Sequence, residues 1–311
     1  MYIEKKQIQI NNFRDQIIYF PRARDAMKAF LARYNTDEYC VFLPGFIGFS
    51  PNEGSGLYDP IVELGIRHQF YLMTEELKVD LDDLNARLEQ CPKKKILILV
   101  HYWGYVDPQY EQIVACARKN QCTIMEDMAH AVYTEYVDHR CGYLGDASFY
   151  SLHKMFPLER GGMLKIRTPE LFDTSLESDC SVFFPVEYDM YSIARKRKEN
   201  AAHWETLLSR HPDLFKILRP VNEYTETTPQ TYPVAVQNVD RYKLYLAVNE
   251  CGYGLISLYH TLIEPLRTPE NEKALSLSGC ILNFPVHPDV TGPQIEDMYR
   301  EVMNACEKLK A

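Results

Sequence analysis

Short apolar runs and amphipathic stretches alternate along most of the chain. Ile17 to Phe20, Val41 to Leu43, Gln69 to Met73, Ile96 to Val100, Cys122 to Met125, Ala147 to Leu152 and Met163 to Ile166 read as strands, behind an N-terminal arm in which Ile8 and Ile10 alternate. Ile96 to Val100 is continuously apolar, as a strand must be when both faces of its sheet are covered. Between the runs, apolar residues recur at helical spacing: Ala26, Met27, Phe30, Leu31 and Tyr34, and later Leu81, Leu84 and Leu88. Tyr58 to Leu64 and Pro108 to Lys119 also read as helices. Strand and helix thus alternate from residue 39 to 127, which predicts a doubly wound α/β domain with its site at the carboxyl ends of the strands.

After Ile166 the pattern changes. Residues 167 to 190 are mixed and punctuated by proline, and Met190 to Ser209 reads as a long charged helix bridging to a second unit. There T-Y-P-V-A-V-Q and C-I-L-N-F-P-V-H-P predict strands, and Asp240 to Asn249 and Pro293 to Leu309 predict helices. The expected organisation is a large domain over 1–190 and a small α+β domain over 191–311.

Chemistry concentrates between Ile124 and Ile166. The apolar run at Cys122 to Met125 ends in Glu126 and Asp127, where a buried strand reaches its carboxyl end. The run at Ala147 to Leu152 is followed at once by His153 and Lys154, then by the pair Gly161 and Gly162. A strand-end carboxylate and a lysine after the next strand are what pyridoxal phosphate chemistry requires. The lysine amine bonds to the cofactor aldehyde, and a buried aspartate keeps the pyridine nitrogen protonated so that the ring accepts electrons. The chain carries neither a G-x-G-x-x-G fingerprint nor a P-loop.

The wording I-M-E-D-M-A-H-A, G-D-A-S-F-Y-S, lysine and Gly-Gly resembles the DegT/DnrJ/EryC1/StrS family, sugar aminotransferases of fold type I that use pyridoxal 5'-phosphate. The resemblance is strong over 96–166 and looser elsewhere. It implies a large mixed-sheet domain with a small C-terminal domain, and it carries roles to particular residues. Asp127 falls on the pyridine-nitrogen aspartate, His130 beside the cofactor's phenolic oxygen, Lys154 on the cofactor-linked lysine and Ser151 on a phosphate contact. The amides of Ala23 and Arg24, opening the first helix, fall on the phosphate cradle, although Arg22 and Ala23 stand where relatives carry Ser-Gly. Phe46 is the positional match for an aromatic that stacks on the cofactor, with Phe49 as the alternative. Arg160 is a further phosphate candidate, and His101 and His153 lie near the site by position. The stretch S-V-F-F-P-V-E-Y-D-M-Y-S at 181–192 replaces a family N-Y-R segment that serves substrate and dimer. The resemblance implies an amino acid donor such as glutamate, a keto-sugar acceptor carried on a nucleotide, and a homodimer. A small ketone as acceptor, a dehydratase and a degenerate non-enzymatic member stand as alternatives.

Composition narrows the setting. The chain has 311 residues, 46% of them apolar and 25% charged, an ordinary globular balance. Nine cysteines without a C-x-x-C pair argue against a disulfide framework or a structural zinc site and for a reducing, cytoplasmic setting. No run approaches the roughly 18 apolar residues of a membrane span, and M-Y-I-E-K-K-Q-I-Q-I carries no signal-peptide pattern. A net charge of −9 without a basic stripe makes nucleic acid an unsuitable partner. The cluster Arg195 to Lys198 reads as a solvated helix face.

Overall fold

The computed structural model describes residues 15–34, 37–178 and 188–310. Ile8, Ile10 and residues 181–187 of the stretch that replaces the N-Y-R segment lie outside the described residues. Seven strands form the main sheet: β1 (Gln16–Phe20), β2 (Tyr39–Pro44), β3 (His68–Tyr71), β4 (Lys94–Val100), β5 (Cys122–Asp127), β6 (Ala147–Ser151) and β7 (Gly162–Ile166), in the spatial order β1-β7-β6-β5-β4-β2-β3. Strands β2 to β6 pair in parallel, and β7 runs antiparallel to both β6 and β1. The chain goes outward from β2 to β3, returns to lay β4 on the other side of β2, and continues through β5 and β6. That reversal opens a crevice at the carboxyl ends of the central strands.

Helices α1 (Ala23–Leu31), α2 (Asp59–Leu64), α3 (Leu81–Gln90), α4 (Tyr110–Lys119) and the short α5 (Val132–Tyr136) belong to this half. Burial on both sides makes β2, β4 and β5 almost wholly apolar, with Val41, Phe42, Ile96, Leu97, Ile98, Ile124 and Met125 removed from solvent. Helix α6 (Met190–Leu208) leads to an antiparallel sheet ordered β10-β9-β8, built from β8 (Phe215–Ile217), β9 (Thr231–Val236) and β10 (Ile281–Pro285). Helices α7 (Arg241–Glu250), α8 (Glu272–Cys280) and α9 (Gly292–Lys310) accompany it. Its core centres on Trp204, whose ring lies 4.6 Å from that of Phe284 and whose Nε1–H donates to Pro285 O at 2.8 Å. Three helices start on an aspartate whose carboxylate takes a first-turn N–H: Asp80 for α3, Asp189 for α6 and Asp240 for α7.

The sequence pattern does not anticipate α5, α8 or β8. The first is a five-residue helix and β8 is three residues long, too short for either period to show. In α8, E-K-A-L-S-L-S-G-C mixes serines and a glycine into the apolar positions. The basic cluster also differs from expectation. Arg195 and Lys196 do pair with Glu199 on the outside. Arg197 instead is buried and donates to the carbonyls of Pro229 and Gln230, and Lys198 binds Asp138. The helix face that carries them meets the large-sheet half rather than solvent. Among the described residues no helix is long and apolar enough to cross a membrane.

The Gly-Gly pair has a geometric explanation. A Cβ on Gly162 would sit 2.2 Å from Arg22 O and 2.9 Å from Ala23 N, and one on Gly161 would sit 2.9 Å from the Leu152 Cβ. Strand β7 therefore lets the turn between β1 and α1 approach only where side chains are absent, and Gly161 N–H fixes it by donating to Pro21 O at 3.0 Å. Gly162→Ala must push Arg22 and Ala23 aside. We expect it to destabilise the protein by about 1–3 kcal/mol, read from urea unfolding midpoints; an unchanged midpoint would mean that the turn is free to move.

Candidate active site

The crevice is a cleft of about 440 Å³. Strand register builds its floor: Asp127 at the end of β5 lies between Val100 of β4 and Phe149 of β6, and all three line the cleft. Asp127 Oδ1 accepts the Ala129 N–H at 2.9 Å, which fastens the turn that carries His130. The other wall is the helical turn Leu152–Lys154 after β6, held by Leu152 N–H donating to Gly161 O at 2.6 Å and Met155 N–H to Leu152 O at 2.9 Å. These two turns bring Lys154 Nζ to 3.1 Å from His130 Nε2.

The electrostatics follow from depth. Lys154 is exposed to the open space of the cleft and Asp127 is half-buried, with protein packed around both. Burial is the largest influence on each. It raises the Asp127 pKa, against the Ala129 N–H and the Lys154 charge, and it lowers the Lys154 pKa, against the charges of Asp127 and Glu53. Burial and the Lys154 charge push His130 well below its ordinary value, so its ring is neutral.

The sequence-derived candidates divide clearly. Ala23, Arg24, Phe46, Asp127, His130, Ser151, Lys154 and also His153 line the one cleft. Helix α1 opens at Arg22 with no side chain capping its first turn, leaving the Ala23 and Arg24 amides uncapped at the edge of the cleft. Arg24 is anchored beside them, donating to Asp59 Oδ2 at 3.0 Å and to Glu53 O at 2.7 Å. Phe46 is fully buried against Tyr102 and Tyr259, whereas Phe49 is 42% exposed and is not part of the lining. Arg160 is exposed and outside the lining. His101 lies behind the site, bonded to Glu126.

Among the lining residues that a reading of the sequence does not single out are Glu53, Tyr102 and Tyr259. Tyr259 comes from the segment between α7 and α8. It reaches the cleft because residues 47–49 and 261–263 pair, with Phe49 N–H donating to Thr261 O and Ile263 N–H to Ile47 O. Its ring packs on the open face of Gly48, where a Cβ would come within 3.0 Å of it. No spacing rule links residues so far apart; the only local signal was a glycine in the aromatic-rich 44–50 loop.

Beneath the floor, Glu126 is completely buried. It accepts from His101 Nε2 and Tyr110 Oη, both at 2.8 Å, from Gly142 N–H at 3.0 Å and from Gly145 N–H at 2.7 Å. Burial alone would raise its pKa; the bond and charge of His101, the charge of Arg167 and the Tyr110 hydroxyl outweigh it and hold the group at about 2. Asp146 anchors the same loop by accepting from Arg118 and from Ile124 N–H.

Residues 58–178 match the DegT/DnrJ/EryC1/StrS aminotransferase family. The spore coat polysaccharide biosynthesis protein SpsC of Bacillus subtilis (strain 168) is 30% identical over 126 residues, a stretch that spans 40% of this chain and 32% of that protein. An aminotransferase from Psychrobacter cryohalolentis superposes with a TM-score of 0.74 at 17% identity, covering 95% of this chain and 88% of that one. NtdA of Bacillus subtilis, solved with bound cofactor PMP, superposes with a TM-score of 0.71 at 14% identity, covering 94% and 73%. The two superpositions establish the fold.

Because the folded Glu126 pKa lies near 2 and the ordinary value near 4.5, its contribution to stability is complete above about pH 4.5 and is lost as pH falls towards 2. The loss amounts to roughly 3 kcal/mol. In Glu126→Gln one acceptor oxygen faces four donors, so stability at pH 7 should drop by about 3–5 kcal/mol and this part of the acid slope should vanish. Urea unfolding at a series of pH values checks both; an unchanged acid slope in the variant would refute the assignment.

Proposed function

From the match of residues 58–178 to the DegT/DnrJ/EryC1/StrS aminotransferase family, we propose that the protein is a pyridoxal phosphate-dependent sugar aminotransferase. It takes the amino group from glutamate and gives it to a keto-sugar carried on a nucleotide. The observation that carries this reading is the convergence of Asp127 and Lys154 on one cleft, with the lysine amine against His130. The cleft suits the cofactor at each of its ends. Asp127 keeps Oδ2 available for a ring nitrogen, the α1 amides with Ser151 suit a phosphate, and Phe46 and Tyr259 supply aromatic walls.

When bound there, pyridoxal phosphate supplies an aldehyde for the amine and a ring that accepts electrons. Lys154 Nζ attaches the cofactor, and once free it takes the proton from the substrate carbon and returns it. Its lowered pKa suits that work, since only the neutral amine accepts a proton. The ionised Asp127 holds a proton on the ring nitrogen. His130 orients by hydrogen bonding, and the buried aromatic wall excludes water.

One observation favours a second reading of the acceptor. Among the described residues, the arginines lining the cleft are already engaged, Arg22 by Asp25 and Arg24 by Asp59, and the carboxylate of Glu53 also lines the cleft. That charge balance suits a keto-sugar or small ketone without a nucleotide. The free, largely buried cysteines of the described residues accord with a cytoplasmic setting.

Lys154→Ala should fold, lose turnover and fail to acquire the visible absorbance of covalently held cofactor. Asp127→Asn should keep cofactor and lose about 10² to 10³ in kcat. Glutamate added to wild-type protein loaded with pyridoxal phosphate should change its visible spectrum and release 2-oxoglutarate. A nucleotide-linked keto-sugar should then restore the spectrum. Full turnover by Lys154→Ala would remove the role assigned to Lys154, and restoration by a small ketone alone would replace the acceptor. We expect the working form to be a homodimer, the commonest symmetric assembly; light scattering that finds a fully active monomer would overturn this.

A further inference from the structure

We infer that the main-chain N–H of Trp103 fixes His130 as the Nε2–H tautomer, and that His130 is thereby a positioning residue that holds Lys154 as a neutral amine. The inference rests on the reading above that Lys154 carries the cofactor, but it concerns the cofactor-free protein.

The argument is a count of hydrogens. Trp103 N–H donates to His130 Nδ1 at 3.3 Å, so Nδ1 must present its lone pair. A neutral imidazole has one N–H, which leaves that hydrogen on Nε2. Nε2 lies 3.1 Å from Lys154 Nζ. Two donors cannot share that contact, so Nζ must accept with a lone pair, which only the unprotonated amine has. An ammonium at Lys154 would need Nε2 as its acceptor. The ring hydrogen would then move to Nδ1 and oppose the Trp103 N–H, leaving two buried donors facing each other.

Trp103 cannot easily turn away. It is held at φ 54° and ψ 20°, a left-handed conformation that a bulky residue rarely adopts. Its ring is fully buried against Tyr102, Tyr259 and the Arg219 guanidinium, and its carbonyl accepts from Gln230 N–H at 2.7 Å. The next residue, Gly104, has φ 89°, and a Cβ there would come 2.6 Å from Thr228 O and 2.8 Å from His130 O. The strained turn after β4 thus has a use: it aims one N–H at one ring nitrogen.

The surrounding charges do not decide the matter alone. Asp127 on β5 and Glu53 in the loop after β2 favour a protonated Lys154; burial and Arg24 on α1 oppose it, and His153 stands beside it on the same turn. The hydrogen-bond pattern breaks this near balance. A neutral Nζ can form its N–C bond to an aldehyde, the carbonyl oxygen leaving as water, without first losing a proton.

The test uses full-length cofactor-free protein labelled with 15N at histidine, with His130 assigned by comparison with His130→Gln. We expect His130 Nε2 to give a protonated, pyrrole-type shift and Nδ1 an unprotonated one; the reverse pattern overturns the inference. The second measurement is the pH profile of pyridoxal phosphate capture, followed by visible absorbance. Glutamine and glutamate have the same size at position 130. The His130→Gln amide can accept from Trp103 and donate to Lys154, so its midpoint should stay within about half a unit of wild type. The His130→Glu carboxylate can only accept, so it should stabilise the ammonium, raise the midpoint by at least about one unit and slow capture at pH 7 about tenfold. Equal profiles for the two variants overturn the inference. Should His130→Glu not fold, the tautomer measurement decides. Wild-type protein that captures no pyridoxal phosphate, with the Nε2–H tautomer present, would refute the cofactor reading and leave the tautomer assignment standing.

Discussion

A carboxylate with no water around it has to be satisfied from every side, and Glu126 is such a group. Its donors come from the turn after β4, from α4 and from the loop before β6. Removing any one leaves a buried charge short of a donor, which typically costs about 1.5–3 kcal/mol. The four bonds therefore act as one constraint that fixes the end of β5 to its neighbours. Successive residues on a strand point to opposite faces, so what pins Glu126 beneath the sheet presents Asp127 on top of it. The cleft inherits its floor from an ion buried on the other side.

The same alternation explains how far the sequence could be read. E-D-M-A-H-A and S-L-H-K are contiguous, so the order of the strands and the residues at their ends were legible, as was the crevice they open. Division of labour within the motifs was less so. Glu126, Gly145 and Asp146 hold structure while Asp127, Ser151 and Lys154 face the cleft, and only the strand register separates the two groups. The Gly-Gly pair was legible only as part of the motif; its physical reason is the approach of Arg22 O.

Residues joined by long-range pairing could not be read at all. Tyr259 enters through the bonds between residues 47–49 and 261–263, and its ring uses the space left by Gly48. Arg197 and Lys198 looked like a solvated patch because a helical pattern records period, not what lies opposite each face. Arg197 is buried between the Pro229 and Gln230 carbonyls of its own half and the Tyr133 ring of the large-sheet half.

Asp127 and Lys154 are shifted in opposite directions by one cause. Burial makes both charged forms expensive, so a carboxylate moves up and an amine moves down. Left alone, such a pair tends towards neutrality, which suits the amine and not the carboxylate. A positive ring nitrogen beside Asp127 would resolve the conflict. Its field lowers the carboxylate pKa and, acting on Lys154 with the same sign, opposes protonation of the amine. One charge placed at one end of the cleft thus moves both groups towards the states that proton transfer needs. His130 adds a contact that does not depend on that charge, because the Trp103 N–H sets its tautomer before anything enters. The electrostatic part of the site responds to its ligand; the hydrogen-bonded part is already in place.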